Sequence, residues 1–120
     1  MTKFEKIAKA WILYQLHFGE NNFWAVEELI ELSTTKPFET WEVIKAIMVE
    51  EISDEDWELI YPILGAGAIE EVLSYFGDEI IAVIEKEAIS NDKLRSILKI
   101  PYKHRMSDSV WNRLLKIREG

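Results

Sequence analysis

Apolar residues recur at a helical period along this chain, and that pattern constrains the fold more than any other feature. In the first segment Phe4, Ile7, Trp11 and Tyr14 follow the i, i+3, i+4 spacing of one helix face. Later apolar segments repeat the same spacing. We therefore predict an all-α single domain over residues 1–120, with about eight short helices and no strand. Helix pairs recur about every 25 to 30 residues, which favours a HEAT-like stack.

Capping and breaking residues give the expected helix boundaries. Gly19 is expected to end the first helix, and Asn21 or Asn22 to cap the second. Pro37 fits the first turn of the third. Further helices are expected at 54–64 (broken by Pro62), 67–76, 79–89 and 91–99, the last capped by Ser90 or Asn91 and followed by Pro101.

The expected core stripes of the second and third helices are Val26, Leu29 and Ile30, and Phe38, Trp41, Ile44 and Met48. The run IIAVI at 80–84 is assigned to a helix, because Ile80, Ile84 and Ala88 then share one face.

Two helix starts, ISDEDWELI and MSDSVWNRLL, have the same arrangement of residues. In each, a hydrophobic residue precedes a serine, and a tryptophan follows four residues after it. Ser53 and Ser107 are therefore expected to cap their helices. Ile52 with Trp57, and Met106 with Trp111, are expected to form hydrophobic staples. We interpret the two as independent helix starts rather than a duplicated functional motif, with the tryptophans in the core.

The stretch LGAGAIEEVLSYFG, residues 64–77, is similar to a phosphate-binding loop at first sight. A dinucleotide fingerprint needs a preceding strand and a third glycine, but here a helix precedes and Glu70 stands at the third position. Glu70 and Glu71 would also repel a phosphate. We therefore expect Gly65 and Gly67 to allow a tight reversal between two closely packed helices, and Gly77 to close the second.

The second half of the chain also carries a resemblance to a family. AGAIEEVLSYFGDEIIAVIEKEAISNDKLRSIL, followed after a gap by VWNRL, resembles a family of small bacterial helical domains of unknown function with an Ala-Gly-x-x-Glu-x-Leu-Leu motif before a glycine. The matching positions are Ala66, Gly67, Glu70, Val72 (leucine in the family), Leu73 and Gly77, with Trp111 and Leu114 near the end. The resemblance implies an all-helical, HEAT-like fold and carries no activity.

Composition excludes several classes of protein. With 48% apolar residues, 12% aromatics and five tryptophans, the chain can build a core. The absence of cysteine excludes disulfides, thiolate catalysis and cysteine-ligated metal sites. The charged N-terminus does not fit a signal peptide, and no run of about 18 apolar residues indicates a membrane span. We predict a cytoplasmic protein.

The charge is divided unevenly along the chain. The net charge is −8, and most basic residues lie after residue 92. The run EEISDEDWE concentrates carboxylates at Glu50, Glu51, Asp54, Glu55, Asp56 and Glu58. It lacks the alternating acids and central glycine of an EF-hand loop. The alternatives are a protein-binding surface, a solvated helix start and a metal site.

Other candidate chemistry is weaker. KIPYKHR combines Lys99, Lys103 and Arg105 with Tyr102, a pattern found in nucleic-acid binding, but the acidic remainder of the chain would repel a polyanion. His17 and His104 have no ligand-type residues at metal spacing, and no nucleophilic triad can be assembled. We therefore expect no enzyme activity, no cofactor and no nucleic-acid partner.

These features together favour a module that binds another, basic protein. The most concrete form is an immunity or antitoxin protein whose acidic surface, at Glu50–Glu58, blocks a basic toxin domain such as a nuclease. Two alternatives stay open: a helical adaptor in a larger assembly, and a metal-dependent enzyme or regulator that uses the same acidic run.

Overall fold

The computed structural model describes residues 1–120, which form helices and short connections without a strand. The α-helical segments are α1 (Lys3–His17), α2 (Phe23–Thr35), α3 (Pro37–Val49), α4 (Asp54–Leu64), α5 (Glu70–Ala88), α6 (Asp92–Leu98) and α7 (Asp108–Glu119). A 3₁₀ turn, Glu20–Asn22, precedes α2, and a π-helical turn, Gly65–Ile69, joins α4 to α5. The all-α prediction is confirmed, and the HEAT-like pairing stays a prediction.

The centre of the chain differs from the prediction. The two segments α4 and α5 and the π-helical turn form one helix of 35 residues, Asp54–Ala88, so the chain has six separate helices rather than about eight. Pro62 does not break this helix. It lies three residues before the π-helical turn, and the carbonyl that it leaves without an intrahelical donor belongs to the exposed residue Glu58.

The expected roles of the central glycines as turn residues are wrong. No glycine in the chain has a positive φ, and Gly65 has helical angles of φ −66° and ψ −46°. Gly77 is buried inside α5 rather than at its end. The backbone of α5 is kinked at Phe76, with φ −136° and ψ 26°, so the boundary expected between the helices 67–76 and 79–89 falls at this kink. Gly65 and Gly77 are needed for close packing against residues 97–110, and not for a reversal of the chain.

The helix Asp54–Ala88 is long and apolar enough to cross a membrane, by length and composition alone, with a mean hydropathy of 1.3 over its most apolar window. In the fold it is the central helix, and 39% of that window is buried. Its side chains Ile60, Leu64 and Leu73 belong to the protein core, which accounts for the apolar composition. The cytoplasmic location stays a prediction.

Local capping determines most helix starts as expected. Three predicted caps accept a backbone N–H: Ser53 from Asp56 (3.1 Å), Asn91 from Leu94 (3.0 Å) and Ser107 from Val110 (3.2 Å). Pro37 lies in the first turn of α3. Asn22 precedes α2 without a side-chain cap bond, because the 3₁₀ turn already leads into the helix.

The end of α1 is formed by Phe18 instead of Gly19. Phe18 adopts the left-handed conformation at φ 52°, and its N–H donates to the carbonyl of Tyr14 at 2.7 Å. Its ring also packs edge-on against the ring of Tyr14, with centroids 5.8 Å apart. This contact favours a conformation that is uncommon for a residue with a β-carbon.

One cluster of 30 buried apolar residues, from Ile7 to Leu114, forms the core. The radius of gyration is 13.5 Å, close to the value of about 13.6 Å expected for a compact domain of this length. Ile80, Ile84 and Ala88 are buried together, as the helical assignment of this run predicts. Ile30 and Phe38 are exposed, so their expected place in the core is wrong.

Candidate protein-binding surface

The acidic run lies across the connection from α3 to α4. Four of its carboxylates are exposed and two half-buried: Glu51, Asp54, Glu55 and Glu58, and Glu50 and Asp56. Only Glu50 has a salt-bridge partner, the Nζ of Lys9 at 2.8 Å, and this hydrogen bond raises the pKa of Lys9. The other five form no salt bridge. Five of the six carboxylates of the run therefore carry charge that no salt bridge within the protein neutralises.

Part of this run also has a role within the fold. Asp54, Glu55 and Asp56 occupy the first turn of α4, where carboxylates stabilise the positive end of the helix dipole. Nowhere in the chain do three His, Asp or Glu side chains form a group that could hold a metal ion. The arrangement thus gives no support to a metal-dependent role for the run.

Apolar side chains continue the exposed face of α4 beyond the acidic run. Leu59 is 65% exposed and Ile63 is 44% exposed. They follow Glu55 at four-residue steps, so the three share one helix face. The same face therefore changes from acidic to apolar along α4.

Ile63 borders a cavity of about 190 Å³, the central groove, between α1, α2 and the π-helical turn. The groove is lined by Trp11, Gln15, Val26, Leu29, Ile30, Ser33, Ile63, Gly67, Ala68 and Glu71. Glu71 is its only charged residue. A β-carbon on Gly67 would have no heavy atom within 4 Å, so this glycine leaves the groove open. Sequence reasoning missed the groove, although it singled out Gly67.

The five tryptophans are mostly structural. Trp11, Trp41 and Trp57 are buried and Trp111 is half-buried. Trp57 therefore packs into the core beneath the acidic run rather than facing a partner. Trp24, on α2, is 47% exposed and is the only tryptophan on the open surface. The one exposed tryptophan therefore lies on α2 and not in the acidic run.

The C-terminal basic residues bind helix ends inside the fold. Three of them donate to carbonyls in the last turns of earlier helices: Lys93 to Met48 (3.2 Å), Arg95 to Ala88 (2.6 Å) and Arg118 to Leu98 (2.8 Å). These carbonyls have no intrahelical partner, and a cation also suits the negative end of the helix dipole. Half-buried Arg118 loses hydration, so burial lowers its pKa.

Three further cations pair with neighbouring side chains. Arg113 binds the carboxylate of Glu85 through two nitrogens, which lowers the pKa of Glu85. The remaining contacts are Lys103 Nζ to Asp108 (2.7 Å) and Arg105 Nη1 to the Tyr75 hydroxyl (3.2 Å). Lys99 and Lys116 make no such contact. Most of the basic segment is thus engaged within the fold.

The loop between α6 and α7 is held by a carboxylate. The backbone N–H of Tyr102 donates to Oε1 of Glu70 at 2.8 Å, while the Tyr102 ring is exposed. His104 lies in the same loop, and His17 in the last turn of α1; both are exposed. Neither histidine joins a group that could hold a metal.

Residues 15–120 match the model of a family described as a family of unknown function (DUF6869). The chain belongs to this family. The resemblance in the second half of the sequence is therefore part of a match over most of the chain. No curated protein and no solved structure matches it.

In this DUF6869 protein the residues that carried the resemblance mainly attach the C-terminal segment to the central helix. Glu70 holds the loop at Tyr102, and Gly77 packs against Val110. Val72, Leu73 and Leu114 are fully buried members of the core. The pattern is therefore one of core packing and of attachment of the α6–α7 loop.

Proposed function

We propose that the protein is an acidic binding module for a basic protein, and most concretely an immunity or antitoxin protein that blocks a basic toxin domain such as a nuclease. One observation carries the proposal. The 40 residues from 46 to 85 contain no Lys, Arg or His, and their eleven carboxylates are Glu50, Glu51, Asp54, Glu55, Asp56, Glu58, Glu70, Glu71, Asp78, Glu79 and Glu85.

The contacts that the basic residues of 93–118 make within the fold support the same proposal. Arg95 and Arg118 are held at the ends of α5 and α6, so they are not free to cover the acidic run. Lys93 lies at the edge of the run, on the carbonyl of Met48 and 4.8 Å from the ring centroid of Trp57, and forms a salt bridge with none of its carboxylates. An exposed surface of negative charge attracts a positively charged partner and raises the association rate constant by electrostatic steering. A nuclease surface that attracts a polyanion is such a partner, whereas nucleic acid itself would be repelled.

The test is capture of partners from the source cells at low and at moderate salt, followed by co-expression with the captured protein. A dominant basic partner that is lost as salt rises, and whose toxicity is relieved by this protein, is the expected result. A basic partner without toxicity would make the protein an adaptor instead. Recovery of only acidic partners, or of none, would remove the proposal.

Charge reversal locates the surface. Glu55, Asp56 and Glu58 changed together to lysine should slow association in a salt-dependent manner, by about tenfold or more at low salt. The matched control reverses Glu20, Glu42 and Glu119, which are exposed acids outside residues 46–85 and give the same change in net charge. Equal effects of the two triple variants would show that the acidic run has no special role.

A further inference from the structure

The rim of the central groove exposes apolar side chains that no other segment of the chain covers. Ile30 on α2 is 60% exposed, and Ile63 faces it from α4 across the same cavity. Beneath them, Trp11, Leu29 and Ala68 form a buried apolar floor. The groove is therefore an apolar site with an open mouth.

The surroundings of the groove are negative. Glu71 lines it, and Glu27 lies one turn before Ile30 on α2. Residues 19–35, which include α2, contain four glutamates and no cation. The π-helical turn and α4 lie within the cation-free stretch 46–85. An apolar ligand for this groove therefore fits best when positive charges flank it.

The size of the groove indicates what can enter. Its volume of about 190 Å³ is below the roughly 300 Å³ at which small-molecule pockets begin. It exceeds the roughly 150 Å³ of an apolar cavity that holds one benzene. One aliphatic or aromatic side chain matches this space, which favours a peptide anchor over a free metabolite.

We propose that the central groove receives one apolar side chain from a basic amphipathic helix of the partner, whose Lys or Arg residues meet Glu27, Glu31 and Glu71. This inference rests on the proposed function, since it specifies the partner of the same acidic surface. The acidic run accelerates encounter, and the groove holds the partner once it is bound. Recognition of an apolar helix face by a groove is a recurring mode of peptide binding.

The probes are three synthetic helical peptides of about 15 residues, roughly four helical turns. The first places leucines on one face and lysines elsewhere. The second has the same composition with the leucines scattered, and the third replaces lysine with glutamate. Binding is followed by titration calorimetry and by amide shifts in the full-length protein. Only the first peptide should bind, with shifts centred on α2 and residues 63–71.

Two pairs of variants make the assignment specific. Gly67→Leu fills the groove, whereas Gly67→Ala adds a single carbon to open space and serves as its control. Ile30→Lys changes the rim, and its control Ile89→Lys changes an isoleucine at the end of α5 that is 80% exposed. Gly67→Leu and Ile30→Lys should each weaken binding of the first peptide by about tenfold or more, and their controls by much less.

The outcomes separate this inference from the proposed function. Equal binding of the first and second peptides, binding of none, or unchanged affinity in Gly67→Leu would overturn the groove assignment, even if a toxin partner is captured and neutralised. Groove-dependent binding of the first peptide would support it even if the captured partner proves harmless, in which case only the immunity role fails.

Discussion

Gly65 of the π-helical turn lies against the carbonyl oxygen of Ile97. A β-carbon at position 65 would be 2.7 Å from that oxygen and 2.6 Å from Cβ of Ile100. Such distances are below normal contact, so the central helix and the end of α6 approach this closely only because residue 65 has no side chain. The π-helical turn thus packs directly against the end of α6.

Gly65→Ala should destabilise the protein by about 1 to 3 kcal/mol, because a backbone oxygen cannot move aside as a flexible side chain can. Gly67→Ala should have the opposite sign, with a gain of about 0.5 to 1 kcal/mol, since its β-carbon meets open space and alanine favours helix. Urea unfolding of both variants checks the contrast. Equal changes in the free energy of unfolding would contradict it.

Gly77 is in a similar position against α7. A β-carbon there would lie 2.9 Å from Cγ2 of Val110, a side-chain atom. Gly77→Ala should therefore cost about 1 to 3 kcal/mol. Because the clash is with a side chain, Val110→Ala should relieve part of it, and the double variant should be more stable than additivity predicts by about 0.5 kcal/mol or more. Strict additivity would mean that the two residues do not limit each other.

Local signals predicted the helix starts well. Ser53, Asn91 and Ser107 act as caps because a cap needs only the residues of the next turn. The absence of a chain reversal at Gly65 and Gly77 could not be predicted in the same way. Each glycine is explained by a contact with the C-terminal segment, and nothing in the neighbouring sequence separates that role from a turn.

Of the candidate site, the acidic run could be predicted from the sequence, whereas the central groove could not. Exposure of the acidic run follows from local charge, so sequence could place it. The central groove requires α1, α2 and the π-helical turn to meet, which no local pattern indicates. Ile30 shows the difficulty: its spacing fits the buried stripe of α2, but it lies at the edge of that stripe and is exposed.

Arg118 should contribute to stability through backbone carbonyls rather than through an ion pair. It donates to the carbonyls of Leu98 and Pro101, and its guanidinium lies 5.1 Å from the ring centroid of Trp111. Arg118→Met keeps an apolar stem but leaves those carbonyls without this donor. We expect a loss of about 1 to 3 kcal/mol in the free energy of unfolding.

Lys116→Met is the control for Arg118, since Lys116 is exposed on the same helix and makes no hydrogen bond or salt bridge. It should change stability by no more than about 0.5 kcal/mol. Chemical denaturation of the two variants in parallel gives the comparison. If Arg118→Met is as stable as Lys116→Met, the capping role of Arg118 is wrong.

The ion pair between Glu85 and Arg113 should make the free energy of unfolding depend on pH. The hydrogen bond from Arg113 lowers the pKa of Glu85 below its ordinary value of 4.5 in the folded protein. The stabilisation is therefore complete above about pH 4.5 and is lost as the pH falls through the lower folded value. Glu85→Gln removes this dependence, so the stability advantage of the wild type should be present in full at about pH 7 and shrink as the pH falls below about 4.5. Urea unfolding across this range measures it, with Glu79→Gln as the control because Glu79 lies on the same helix and has no salt bridge. An advantage over Glu85→Gln that does not change with pH would show that the pair contributes by packing rather than by charge.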